Sequence, residues 1–178
     1  MFPAEGLYGL GADATSASAV ARLVDVRGRE EGKPILVLVS DVAMVSAVAR
    51  EVTPAVQRLA ARFWPGPLTL VLPARTGLPD ALTAGTGTIG VRVPGAETAR
   101  ALVGGLGRPV TAPSANPPGA PPPTTIDVAR GYFGDRVAVY VDGGTLSGSG
   151  STVAAVEANG VRVLREGPVS RQAIEEAV

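Results

Sequence analysis

Apolar positions follow two rhythms along this chain. Ile35–Val39 is a short unbroken apolar run, which predicts a strand buried on both faces, and residues 68–72, apolar except for Thr69, predict another strand. Residues 88–93 and 109–112 predict two more strands. Helical spacing recurs between them. Ala19, Val20, Leu23 and Val24 share one face of a helix that Thr15 or Ser16 can cap. Helical patterns follow over 42–49 and 54–63, the second with proline in its first turn, and a short one over 97–102.

A proline-rich loop spans 113–123, after which Thr124 or Thr125 caps a helix through Val128 and Tyr132. Residues 137–141 read as a strand, and 142–151 as a Gly/Ser-rich loop. Residues 152–156 and 161–164 read as paired strands joined by a turn over 158–160. Ser170 caps a last helix, and the first few residues read as the end of a strand truncated at its start. Alternating strands and helices, with antiparallel pairing late, predict an α/β (α+β) fold: a twisted mixed sheet flanked by helices. No repeat and no long linker divides the chain, so residues 1–178 are expected to form one domain.

Composition narrows the chemistry. The 178 residues contain no Cys and no His. Thiolate chemistry, disulfides, a Ser-His triad and a His-ligated zinc site are therefore excluded. Any metal needs oxygen ligands, which favours Mg²⁺ carried with a phosphate substrate. Formal net charge is zero, against a whole-surface grip on nucleic acid, although a local basic patch remains open. No apolar run reaches the roughly 18 residues a membrane span needs, and Met1-Phe2-Pro3-Ala4-Glu5 does not read as a signal peptide. A cytoplasmic protein without membrane partners is the expectation.

Several residues carry candidate chemistry. Arg27, Arg29 and Lys33 cluster on one loop and can grip phosphate oxygens; the other reading is a solvated loop neutralised by Glu30 and Glu31. Ser114 and Asn116 follow a buried strand, where open α/β sheets bind ligands, or they serve ordinary turn chemistry. Thr88 and Arg92 are four apart on one strand and face the same side. A charged Arg in a central strand needs a partner, either a ligand or a structural ion pair. Trp64 and its Pro-Gly-Pro turn are read as structural, and Tyr8 either lines a pocket or packs in the core.

Ordered blocks span nearly the whole chain. They include Pro3-Ala4-Glu5-Gly6, Arg27-Gly28-Arg29, Phe63-Trp64-Pro65-Gly66-Pro67-Leu68-Thr69-Leu70-Val71-Leu72, Val91-Arg92-Val93-Pro94, Ala112-Pro113-Ser114-Ala115-Asn116, Ser151-Thr152-Val153 and Leu164-Arg165-Glu166-Gly167. Together they resemble the YrdC/Sua5 family. The resemblance implies a YrdC-like fold with a concave basic pocket. It implies formation of threonylcarbamoyl-adenylate from L-threonine, bicarbonate and ATP, the first stage of a tRNA modification that a downstream threonylcarbamoyl-transferase complex completes.

On that resemblance Arg27 and Arg29 act in catalysis by neutralising charge. Arg29, Lys33, Thr88, Asn116, Thr124 and Arg165 bind ATP, while Arg92, Ser114 and Ser151 bind threonine. Gly6 and Leu38 stand at positions where the family places threonine-contacting side chains. The family's first motif normally reads Pro-Thr-Glu-Thr, its first basic residue is usually Lys where this chain has Arg27, and Pro often follows where this chain has Glu30. A Glu before Ser-Thr-Val is here Gly150. The departures cluster on the amino-acid side of the pocket. They leave open an ATP-dependent carbamoyl-adenylate former with a different acceptor.

A second alternative is a non-catalytic protein that binds tRNA or double-stranded RNA in the same concavity. A carbamoyl-transferring homologue is a third, which the short length speaks against. Set against the family, the chain is expected to lack the first helix and part of the first strand that precede the first motif. The edge so exposed suggests a homodimer.

Overall fold

The computed structural model describes residues 1–28, 30, 32–157 and 160–178. Two short strands open the chain, β1 (Phe2–Ala4) and β2 (Leu7–Gly9), paired antiparallel as a separate hairpin. The first residues, expected as the end of one strand, thus form two short strands and the turn between them. Glu5 enables it by adopting φ 69, a left-handed conformation uncommon outside glycine. The backbone of Met1 is also bonded: its amino group donates to the Val139 carbonyl at 2.7 Å, and Val141 N–H donates to the Met1 carbonyl at 2.9 Å.

Helix α1 (Ala17–Arg27) follows. Ser16, not Thr15, caps it by accepting from Ala19 N–H, while Thr15 bonds Asp13. Gly28 ends it at φ 85, donating its N–H to the Val24 carbonyl at 2.8 Å. Arg27 is thereby fixed in the last turn, where a cation suits the helix dipole.

The main sheet contains β3 (Leu36–Leu38), β4 (Leu68–Pro73), β5 (Thr88–Arg92), β6 (Val110–Thr111), β7 (Thr152–Glu157) and β8 (Gly160–Arg165), in the order β6-β3-β5-β4-β7-β8. β3 runs parallel to β5, and β4 parallel to β7; the other pairs are antiparallel. The remaining helices are α2 (Pro54–Phe63), α3 (Asp80–Thr83), α4 (Glu97–Leu106), α5 (Ile126–Phe133) and α6 (Arg171–Glu175). Thr53, Thr125 and Ser170 cap α2, α5 and α6.

Two further expectations are corrected, and one element was not anticipated. Residues 42–49 form a tight 3₁₀ turn over Ala43–Ala47 rather than an α-helix, with Asp41 accepting from Met44 N–H at 2.9 Å. The 137–141 segment joins no sheet; it runs extended beside Met1, with Val139 64% exposed. Helix α3, missing from the apolar pattern, buries only Leu82.

Register explains the sheet's two faces. Val37, Val91, Leu70 and Ala154 are cross-strand partners and lie together in the main core with Val56, Leu59, Phe133 and Ile174 from the helices. Fully burying such side chains contributes about 1.5–3 kcal/mol each. The opposite face is shared. Leu38 packs with Phe2, Ala4, Ala99, Val103 and Val110 in a second cluster under the hairpin and α4. Beyond that cluster the face stays open, because Leu36, Val71 and Val153 are only half-buried.

Candidate functional site

A cavity of about 680 Å³ lies on this open face. Its floor takes alternate residues from the strands: Leu36 of β3, Thr88, Gly90 and Arg92 of β5, Thr69 and Val71 of β4, and Val153 of β7. The pairings Leu36↔Gly90, Val71↔Gly90 and Thr69↔Val153 set them side by side. Gly90 keeps the centre of the floor level. The rim comes from the end of α1, the loop after it, the segment around Ser114, and the end of the Gly/Ser-rich loop.

Two polar groups meet in the cavity. In the first, Arg27 is only 8% exposed and donates from Nε to the Ser114 carbonyl at 2.9 Å. Its Nη2 pairs with Glu30 Oε1 at 3.0 Å, while Lys33 Nζ pairs with Glu30 Oε2 at 2.6 Å. Hydrogen bonds from Lys33 and then Arg27 hold the Glu30 carboxyl below the usual carboxylate range. The helix end thus delivers one cation, the loop another, and one carboxylate between them.

In the second, Arg165 Nη2 donates to the Ser151 carbonyl at 2.7 Å, and the buried Ser151 and Thr69 hydroxyls are 2.8 Å apart. Arg92 is 3% exposed; Nη2 donates to the Ala4 carbonyl at 3.4 Å, and its Nε has no acceptor among the described residues. Burial pushes its pKa down to about 10, opposed by Glu5 and reinforced by Arg165. Glu5 itself accepts from Gly95 N–H. A buried guanidinium with an unused donor beside a cavity suits an entering carboxylate.

The structure therefore brings Arg27, Lys33, Thr88, Arg92, Ser114, Ser151 and Arg165 around one cavity. Arg29 lies outside the described residues. Four other candidates sit elsewhere. Asn116 is 5% exposed and donates to the Pro117 and Ala120 carbonyls at 3.0 and 2.8 Å, holding the proline-rich loop. The Thr124 carbonyl accepts from Leu146 N–H, while Thr125 takes the capping role. Leu38 is in the second cluster. Gly6 lies under the Gly/Ser-rich loop: a Cβ there would stand 2.3 Å from the Ser149 carbonyl oxygen and 2.5 Å from Ser147 Oγ.

Tyr8 takes both of its anticipated roles, lining the cavity and packing in the core. Its hydroxyl donates to the Gly144 carbonyl at 2.8 Å and accepts from Gly143 N–H at 2.9 Å, tying down the same loop. Trp64 is structural, its indole N–H donating to the Leu68 carbonyl. Thr69 and Gly90 were missed by sequence reasoning. A lone Thr within the apolar run 68–72, and a Gly between Thr88 and Arg92, were the available signals.

Arg27, Lys33, Arg92 and Arg165 face a single carboxylate, Glu30, among the described lining residues. A cavity in the size range of small-molecule sites, floored by an open sheet face and biased to positive charge, defines an α/β protein built to hold an anionic small ligand. The Sua5/YciO/YrdC family model, described as "Telomere recombination", matches residues 1–167, and the chain belongs to that family.

A threonylcarbamoyl-AMP synthase of Pyrococcus abyssi is 38% identical over 99% of this chain and 52% of its own length. One from Bacillus subtilis is 37% identical, with the same coverage. The solved structure of P. abyssi Sua5 complexed with L-threonine superposes with a TM-score of 0.93 at 36% identity, over 99% of this chain and 52% of that one. The chain thus spans about half the length of these relatives. No described helix is long and apolar enough to cross a membrane.

Proposed function

We propose that this protein forms threonylcarbamoyl-adenylate from L-threonine, bicarbonate and ATP, releasing pyrophosphate, and so supplies tRNA modification in the cytoplasm. The observation that carries this reading is the division of one cavity into two cationic groups. Arg27 with Lys33 suits phosphates, and buried Arg92, with its unused Nε donor beside Ser151 and Arg165, suits an amino-acid carboxylate. Relatives named threonylcarbamoyl-AMP synthase, and a threonine complex of one similar protein, support it.

The chemistry asks the protein for position and charge. Threonine's amine and bicarbonate give a carbamate with loss of water, and a carbamate oxygen then attacks the α-phosphate of ATP as pyrophosphate leaves. Arg27 and Lys33 would neutralise phosphate oxygens, joined by Arg29 and by Mg²⁺ entering with ATP. Arg92 would fix the amino acid, with the Ser114 and Ser151 hydroxyls alongside. Arg165 would steady the Ser151 loop and add charge. Pre-set donors of this kind cost no reorganisation during reaction.

Incubation with ATP, bicarbonate and a panel of amino acids, read by product mass, tests the reading. Threonylcarbamoyl-adenylate as the dominant product is expected. A carbamoyl-adenylate with another acceptor, or none from any amino acid, overturns it.

A further inference from the structure

Glu30 is the lone carboxylate lining a cavity that otherwise presents cations among the described residues. Its two oxygens are used separately: Oε1 takes Arg27 Nη2 at 3.0 Å and Oε2 takes Lys33 Nζ at 2.6 Å. Two oxygens on one carbon, each on a different cation, match how a phosphate presents two oxygens from one phosphorus. Arg27 is anchored independently through Nε on the Ser114 carbonyl, so its fork stays aimed without Glu30. Lys33 is 73% exposed on a flexible stem, and among the described residues its Nζ bonds only Glu30.

We propose that Glu30 is an intramolecular stand-in for an anion, occupying the Arg27–Lys33 corner until a phosphate-bearing ligand displaces it. The phosphate identity rests on the nucleotide reading above; the displacement rests on the three side chains alone. Glu30 stays ionised throughout the neutral range, because both cations hold its carboxyl down. It therefore competes across the neutral range. A ligand with one negative charge gains little by taking its place. A group with several charges, such as a di- or triphosphate, gains more Coulomb attraction than the carboxylate gives up. A monoanion is thereby too weak to displace the carboxylate at ordinary concentrations, and the empty corner screens its own cations.

The test is calorimetric titration of pyrophosphate, without Mg²⁺, into wild type, Glu30→Gln and Glu30→Ser at one salt concentration. Removing a partly exposed competitor of this kind is expected to tighten binding about fivefold. Acetate should gain by a similar factor, since the same competitor is removed for every anion. Glu30→Ser keeps the test available should Glu30→Gln misfold. Unchanged or weaker pyrophosphate binding in the variants, or no binding to any of the three proteins, overturns the proposal. If the variants bind pyrophosphate more tightly while no threonylcarbamoyl-adenylate forms, the substrate reading falls and the displacement stands.

Discussion

Thr69 and Ser151 place their hydroxyls 2.8 Å apart in the buried wall of the cavity, tying a central strand to the end of the Gly/Ser-rich loop. Arg165 then clasps the Ser151 carbonyl with Nε at 3.2 Å and Nη2 at 2.7 Å. Replacing Thr69 with Val leaves the Ser151 hydroxyl short of a buried partner, a loss of about 1–3 kcal/mol. Denaturant unfolding should show it. In a double-mutant cycle with Ser151→Ala the two losses should fall well short of additive. Additive losses would mean that the pair is not energetically joined.

Gly90 offers a way to fill the cavity without disturbing the fold. A Cβ there would lie 3.4 Å from Thr69 Cγ2 and 3.8 Å from Leu36 Cδ1, which the sheet accommodates. Gly90→Val should therefore fold with near-native stability, since β-branched residues suit strands. Its side chain projects into the floor. Binding of ATP should weaken by about tenfold or more, as read by calorimetry. Unchanged affinity would remove the nucleotide from this floor.

Gly6 makes the opposite case. A Cβ at this position collides with the Ser149 backbone oxygen at 2.3 Å, which side-chain rotation cannot relieve. Gly6→Ala should lift the loop, break the 2.9 Å bond from Gly148 N–H to the Gly6 carbonyl, and expose the loop to protease. Limited proteolysis with mass mapping of 145–151 should show faster cleavage than wild type. Equal cleavage would show that the loop does not seat on Gly6.

Asp13 predicts part of the acid limb of stability. Burial alone would raise its pKa, but bonds from the Thr15 hydroxyl and N–H, at 2.7 and 2.8 Å, and from Arg108 at 3.0 Å outweigh it and lower the value. A carboxyl lowered on folding stabilises fully above its unfolded pKa, about 3.9, and loses that contribution as pH falls through the folded value. Asp13→Asn should be less stable at neutral pH by about 1 kcal/mol. It should also lose less stability than wild type on acidification below about pH 4. Parallel wild-type and variant curves across that range would refute it.

Much of this was legible from residue spacing. The period of two along β5 put Thr88 and Arg92 on one side, and the structure opens that side into the cavity. Helix caps were readable wherever a hydroxyl preceded an apolar face, with Ser16 and Thr125 each prevailing over its neighbour. Tertiary contacts hid the rest. Asn116 reads either as a ligand contact or as turn chemistry until the proline-rich loop folds around its amide. Leu38 occupies a strand position equivalent in rhythm to Leu36, yet one faces the cavity and the other the hairpin, because Phe2 and Ala4 arrive from far along the chain. Residues 137–141 have strand composition but pair only with Met1. Arg29 and the turn residues 158 and 159 lie outside the described residues.

On β5, Gly90 and Val91 are adjacent, one flooring the cavity and the other sealing the main core. Floor and scaffold are therefore one residue apart on the same strand, whereas Glu30, Ser114 and Ser149 ride on loops that bear little of the core. Such a protein is asymmetric as material for selection and for engineering. Its appetite for ligands can drift at the rim while its architecture is held fast by the back of the same strands.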